Sequence, residues 1–249
     1  MLDTLPTFRP STTLLNEKVI LITGAANGIG RAVAKAAGLV GATLVCLDKD
    51  VPGLESLYDE MMAANCPEPA LYPLDLAGAS AQHYQELVQK VQKEFGKLDG
   101  LLHNAAFLGA VTPFQQLEFD LWFKVLQTNL NGPALLTQAL IPLLTKGICP
   151  RILFTSDTVG RNAKAYWGPY AVSKFGVEGL MQTLAQEYDR SPKIFICSID
   201  PGPTHTYLRM QTYPGEAISA RRQPEELTNA YLYLLSTTDE KLQGQAISL

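Results

Sequence analysis

The chain has 249 residues, of which 47% are hydrophobic and 18% charged, with a formal net charge of −4. That length and balance fit one large globular domain over 1–249 and exclude a disordered or low-complexity chain. The acidic excess and the lack of any basic run argue against nucleic acid as a partner.

No apolar run approaches the ~20 residues that cross a bilayer, so no membrane partner is expected. The opening MLDTLPTFRPSTTLL lacks the basic start and apolar stretch of a secretory signal. Cys46, Cys66, Cys149 and Cys197 show no metal-ligand spacing, so no metal site is expected. These features point to a reducing cytoplasmic location.

Residues 1–16 form a short lead-in. KVILIT (18–23) then predicts a buried strand that runs into Thr23-Gly24-Ala25-Ala26-Asn27-Gly28-Ile29-Gly30, with a helical pattern following over 28–40. Glycine permits a tight turn. Lacking Cβ, it also lets backbone amides approach a pyrophosphate at a helix N-terminus. ATLVCLD (42–48) predicts a second strand ending in Asp48, 18 residues after Gly30. A carboxylate there can accept from both ribose hydroxyls and repels a 2′-phosphate, which favours NAD over NADP. Lys49, the next residue, is the feature that would favour NADP.

A helix over 52–64 leads to the strand ALYPLD (70–75), and a helix over 79–95 leads to LDGLLHNA (98–105). One long helix is predicted over 115–145, then the strand RILFTS (151–156), a helix over 165–190 and the strand KIFICSI (193–199). Residues 203–223 read as a long irregular insert, a substrate loop. A helix over 224–236 and the strand QGQAISL (243–249) complete the chain. Such alternation predicts an α/β fold: a doubly wound Rossmann domain with a mostly parallel seven-stranded sheet and helices on both faces. Ligands then bind at the carboxyl ends of the strands.

Tyr170 and Lys174, in Tyr170-Ala-Val-Ser-Lys174, are four residues apart and share one helix face. An adjacent ammonium favours phenolate, so the pair predicts a tyrosine brought toward the range of a general acid/base.

With these residues in order, the sequence resembles the short-chain dehydrogenase/reductase family over nearly its whole length. The resemblance rests on TGAANGIG (23–30), Asp48, Asp75, HNAA (103–106), Asn129, YAVSK (170–174) and Pro201-Gly202. Within the family it is similar to a bacterial branch described as oxoacyl-reductase-like. The resemblance implies an enzyme that moves hydride between NAD(H) and a carbonyl/alcohol substrate, assembled as a homodimer or homotetramer. It implies that Gly24, Asn27, Gly28, Ile29 and Gly30 hold the pyrophosphate and Asp48 the ribose. Asp75 and Leu76 would border the adenine, Asn104 would lie along the cofactor, and the stretch with Pro201, Gly202, Thr204 and Thr206 would meet the carboxamide. Tyr170 would exchange the proton. Lys174 would hold the nicotinamide ribose and tune Tyr170, and Asn129 would anchor a relay water.

The family usually carries a serine thirteen residues before the tyrosine, and here that position is Asp157. A carboxylate repels the oxyanion that develops on a carbonyl substrate. Three readings follow. Thr158 or Ser156 substitutes for the serine, although Ser156 should face the other side of an extended strand. Asp157 takes part, either protonated or facing an amine-bearing substrate. Or the chain is an NAD(H)-binding pseudoenzyme or structural subunit. His103 reads as a core histidine, and His205 lies in a loop facing the cofactor. Phe107, Leu108 and Trp167 would line an apolar substrate mouth, where Arg209, Arg221 and Arg222 could meet an anionic group.

Overall fold

The computed structural model describes residues 8–249; the first seven residues of the lead-in lie outside them. The strands are β1 (Val19–Thr23), β2 (Thr43–Asp48), β3 (Ala70–Pro73), β4 (Gly100–His103), β5 (Arg151–Thr155), β6 (Phe195–Asp200) and β7 (Ala246–Ser248). They form one sheet in the order β3-β2-β1-β4-β5-β6-β7, and every pairing is parallel. Strands of this kind are apolar on both faces because helices cover both.

In β1, Ile20 and Ile22 point to one face while Val19 and Leu21 point to the other. The first face packs on α1 (Gly28–Leu39), α2 (Val51–Ala63) and α8 (Thr228–Ser236) through Val33, Leu54, Leu57 and Tyr231. The second packs on α3 (Ala81–Phe95), α5 (Gly132–Leu144) and α6 (Gly168–Glu187) through Leu87, Leu140, Val177 and Met181. Each strand therefore ends on the same edge of the sheet. No helix among the described residues is long and apolar enough to cross a membrane.

Two predicted elements differ. The single helix expected over 115–145 begins later, because Glu118 is extended after a 3-10 turn at Phe114–Gln116. It runs as α4 (Phe119–Leu126), passes through a π turn at Gln127–Asn131 and continues as α5. One extra residue in a turn does not interrupt an apolar pattern, so periodicity cannot reveal it. The insert over 203–223 is not irregular throughout. It contains α7 (Tyr207–Thr212) and a 3-10 turn at Ile218–Ala220, and a bridge between Thr204 and Arg222 closes its base.

Candidate active site

Gly24 (φ +70) and Gly28 (φ +54) occupy the left-handed region, where a side chain is strained. Gly30 faces a second constraint: a Cβ there would lie 2.0 Å from the Gly24 carbonyl oxygen and 2.6 Å from Asn104 Nδ2. Helix α1 starts with no acidic residue in its first turn and no side-chain cap. Asn27 Nδ2 instead donates to Asp50 Oδ2 at 2.8 Å. The uncapped first-turn amides are therefore available for an anion, which fits a dinucleotide pyrophosphate. The Ile29 side chain is buried in the core, while its backbone amide lies in this uncapped first turn.

Asp48 is fixed by two backbone donors. Ala26 N donates to Oδ2 at 3.0 Å and Asp50 N to Oδ1 at 3.1 Å. It lines a cleft with Gly24, Lys49, Asp75, Leu76 and Ala105. Asp75 Oδ1 accepts from Ala77 N at 3.0 Å. Asn104 braces the floor, donating from Nδ2 to the Gly24 carbonyl at 3.3 Å. The Thr23 hydroxyl accepts from both Asn104 N (3.0 Å) and Ala105 N (3.1 Å). This threonine, which joins the ends of β1 and β4, carried no sequence signal beyond its place before Gly24.

The second half of the site lies where β5 and β6 end. Tyr170, buried on the first turn of α6, donates from its hydroxyl to Asp157 Oδ2 at 3.3 Å. Asp157 Oδ1 accepts from Val159 N at 3.0 Å, which orients the carboxylate. Neither neighbour takes the serine's place. The Thr158 hydroxyl donates to Asp200 Oδ2 at 2.7 Å, and Ser156 Oγ is buried with no partner among the described residues.

Lys174 donates to the Thr155 carbonyl at 2.7 Å, and its Nζ sits 5.6 Å from the Tyr170 ring centroid. The expected lowering of the Tyr170 pKa is corrected here. Burial, followed by the Asp157 charge and hydrogen bond and then by Asp200, pushes the phenol well above its ordinary value. Burial pulls the Lys174 ammonium down, opposed by Asp157, Glu178 and Asp200. Asn129, held in the π turn, accepts from Phe107 N at 2.7 Å. Its Nδ2 donates to the Phe107 carbonyl at 2.9 Å and to Ser173 Oγ at 3.1 Å.

Asp200, which sequence reasoning passed over, ends β6 directly before Pro201-Gly202 and is buried. Its Oδ1 accepts from Gly202 N at 2.9 Å. Arg222 donates to the Pro201 carbonyl at 2.6 Å, and Thr204 Oγ1 to the Gly202 carbonyl at 3.1 Å. Thr206 caps α7 by accepting from Arg209 N at 3.2 Å. A Cβ on Gly28 would lie 3.3 Å from its methyl, so the loop reaches the phosphate turn.

Two expected anion-binding arginines are already engaged. Arg209 and Arg221 both hold Glu216, at 2.6 and 2.8 Å. Leu108, Trp167 and Tyr170 form a small apolar cluster joined by Phe107 and Tyr213.

His103 is a core residue, its Nε2 2.8 Å from the Thr137 hydroxyl and its ring stacked on Phe154. Burial holds its pKa down to about 3, against 6.5 for the free side chain. An unfolded chain binds that proton first, so the stability tied to neutral His103 is complete above pH 6.5 and is lost as pH falls toward 3. The slope should be about 1.4 kcal/mol per pH unit for this one proton. Urea melts of His103→Gln between these limits should show a shallower acid limb than the parent. An unchanged limb would mean that His103 is protonated in the fold.

Residues 18–217 match the family model described as short chain dehydrogenase. The chain belongs to the short-chain dehydrogenase/reductase family of oxidoreductases, enzymes that act on CH–OH groups with a nicotinamide dinucleotide. It is 36% identical over 237 residues to the oxidoreductase YciK of Escherichia coli, covering 95% of this chain and 93% of that one. A solved short-chain dehydrogenase from Pseudomonas syringae is 43% identical, with a TM-score of 0.94 over 97% of this chain and 98% of the other. Another from Shigella flexneri, solved as a complex with NADP, is 36% identical with a TM-score of 0.92 over 96% and 99%.

Proposed function

We propose that the protein transfers hydride between NAD(H) and a carbonyl/alcohol pair, with Tyr170 handling the proton. The observation that carries this reading is the Tyr170 hydroxyl, set at the carboxyl edge of the sheet with Asp157 beside it at 3.3 Å and Lys174 against its ring. The nicotinamide, when bound, supplies or takes up the hydride. Gly24, Asn27, Gly28 and Gly30 hold the pyrophosphate, Asp48 the ribose, and Asp75 and Leu76 the adenine side. Asn104, Pro201, Gly202, Thr204 and Thr206 border the rest of the cofactor, with Lys174 on the second ribose.

A phenol held above its ordinary pKa keeps its proton at neutral pH. Tyr170 therefore stands protonated in the site, the form that can donate to a substrate oxygen during reduction. Asn129 acts by position, tying the Phe107 loop to Ser173 on the Tyr170 helix, and supports the relay water. Phe107, Leu108, Trp167 and Tyr213 suit an apolar carbonyl compound, and 3-oxoacyl compounds are the first to screen.

The pinned carboxylate of Asp48 supports NAD(H). A second reading, NADP(H), is favoured by the NADP complex of the Shigella flexneri relative and by exposed Lys49 in the same cleft. Titration of tryptophan fluorescence with each nucleotide separates them. NADH should bind at least about tenfold more tightly, the worth of a charge-assisted hydrogen bond. Asp48→Ser should erase most of that margin. Tighter NADPH binding by the parent would replace the first reading with the second.

Helix α4 leaves Phe119 81% and Phe123 64% exposed, next to exposed Phe114. We assign this aromatic face to a second copy, giving a dimer or a tetramer that sedimentation equilibrium would count. The four cysteines are free, in keeping with the cytoplasm.

A further inference from the structure

The charges around the Tyr170 hydroxyl bear on which C=X bond the hydride transfer proposed above serves best. As hydride reaches a carbonyl carbon, negative charge develops on oxygen, and a site gains rate by placing donors or cations there. This site places carboxylates there. Asp157 Oδ2 is 3.3 Å from the hydroxyl, and Asp200 is joined to the same turn through Thr158 at 2.7 Å. Neither carboxylate has a cation within ion-pair distance among the described residues.

The nearby cations are committed elsewhere. Lys174 points its ammonium at the Thr155 carbonyl, at 2.7 Å. Arg161 is paired with Glu178 at 3.1 Å, and Arg209 with Glu216 at 2.6 Å. Arg222 gives its guanidinium to the Pro201 carbonyl at 2.6 Å, so the Asp157 carboxylate beside the Tyr170 hydroxyl has no ion-pair partner among the described residues. Asp157 is also half-buried rather than sealed, so a substrate atom can reach it. Its Oδ1 is held by Val159 N, and among the described residues its Oδ2 has only the phenol as a partner.

We infer that this site takes a cationic electrophile, a protonated imine, in preference to the neutral carbonyl of the same shape. This rests on the hydride-transfer reading above and names the bond reduced. The N–H of the protonated imine donates to Asp157 Oδ2, where the serine hydroxyl of the family would meet an oxygen. The imine carbon gains a hydride from a reduced nicotinamide nucleotide, and the π pair of C=N becomes the lone pair of nitrogen. A cation plus hydride yields a neutral amine, and the nucleotide leaves oxidised. The proton on nitrogen comes from water before hydride arrives. The carboxylate then stabilises charge that is present in the substrate and fades as the bond forms, while its field raises the fraction of imine that is protonated.

The test pairs dihydroisoquinoline with tetralone, two bicyclic compounds of similar shape, each offered with NADH and with NADPH. The parent should show a kcat/KM for the imine at least about tenfold above that for the ketone, the worth of one charge-assisted hydrogen bond. Asp157→Ser should lower the imine value and raise the ketone value, collapsing the ratio.

A second arm needs no turnover. Tetrahydroisoquinoline, cationic at neutral pH, should bind more tightly than tetralol by tryptophan fluorescence, and Asp157→Ser should remove the difference. A parent that prefers the ketone, or a ratio unmoved in the variant, overturns the inference while leaving the oxidoreductase reading intact. If neither protein reduces either compound, the hydride-transfer reading of this site falls. The amine-versus-alcohol binding then decides the cation preference by itself. Unchanged nucleotide affinity in Asp157→Ser shows that the variant is folded.

Discussion

Tyr170→Phe is expected to lower kcat by about 10²- to 10⁴-fold, the range a positioned proton donor contributes, with little change in melting temperature or nucleotide affinity. The ring does structural work that phenylalanine can continue. It packs 5.7 Å from Trp167, and Lys174 rests against its face at 5.6 Å. Only the hydroxyl is lost, and with it the proton and the hydrogen bond it donates to Asp157 Oδ2. Stopped-flow of the variant with reduced nucleotide and substrate should therefore show normal binding and a slow chemical step. Loss confined to KM would instead mean that the phenol only binds substrate. A parent-like kcat would remove Tyr170 from the chemistry altogether.

Gly30→Ala should be strongly destabilising for the addition of a single methyl. The added carbon would stand 2.0 Å from the Gly24 carbonyl oxygen, a backbone atom that cannot swing aside, and 2.6 Å from Asn104 Nδ2, which is itself bonded to that carbonyl. To make room, the turn must part from α1, moving Gly24 and the Asn104 amide that braces it. Overpacking usually costs about 1–3 kcal/mol, and a backbone obstacle places this case at or above the upper end. In a chain of this length that is a fall in Tm of roughly 6–12 °C. Nucleotide affinity should fall with it, because the displaced backbone is the phosphate cradle.

Gly179→Ala is the control. It lies mid-helix in α6 with nothing within 4 Å of its added carbon. There alanine should stabilise by roughly 0.5–1 kcal/mol. Equal Tm values for the two variants would mean that the turn has slack that the structure does not show.

The strand-helix alternation and the place of each cofactor-facing loop were legible in the sequence because both faces of the sheet are covered. Runs such as KVILIT announce a buried parallel strand by lacking polar alternation. The Tyr170–Lys174 pair was legible as spacing on a helix. The electrostatics were not, since the sign of the Tyr170 shift depends on which charges lie nearest in space. Spacing alone put Lys174 first, whereas the fold ties Lys174 to a carbonyl and brings up Asp157 and Asp200. Asp200 escaped notice because a residue at a strand end gives no hint of its partners across the sheet. The π turn around Asn129 escaped because apolar spacing reads through it. Helix α7, six residues long, is too short to display a period.

The bridge between Thr204 and Arg222 also bears on how such a protein can change over generations. It clasps the stretch that carries α7 at its neck, while Glu216 gathers Arg209 and Arg221 within the stretch itself. That stretch is internally braced, closed at its neck, and rests on the scaffold where Tyr213 packs on Trp167 and Thr206 approaches Gly28. Recombination that trades only the part from α7 to the 3-10 turn would leave Tyr170, Lys174 and the cofactor-facing Thr204 and Thr206 in place. New substrate ranges would then arise by exchanging the visor while keeping the engine.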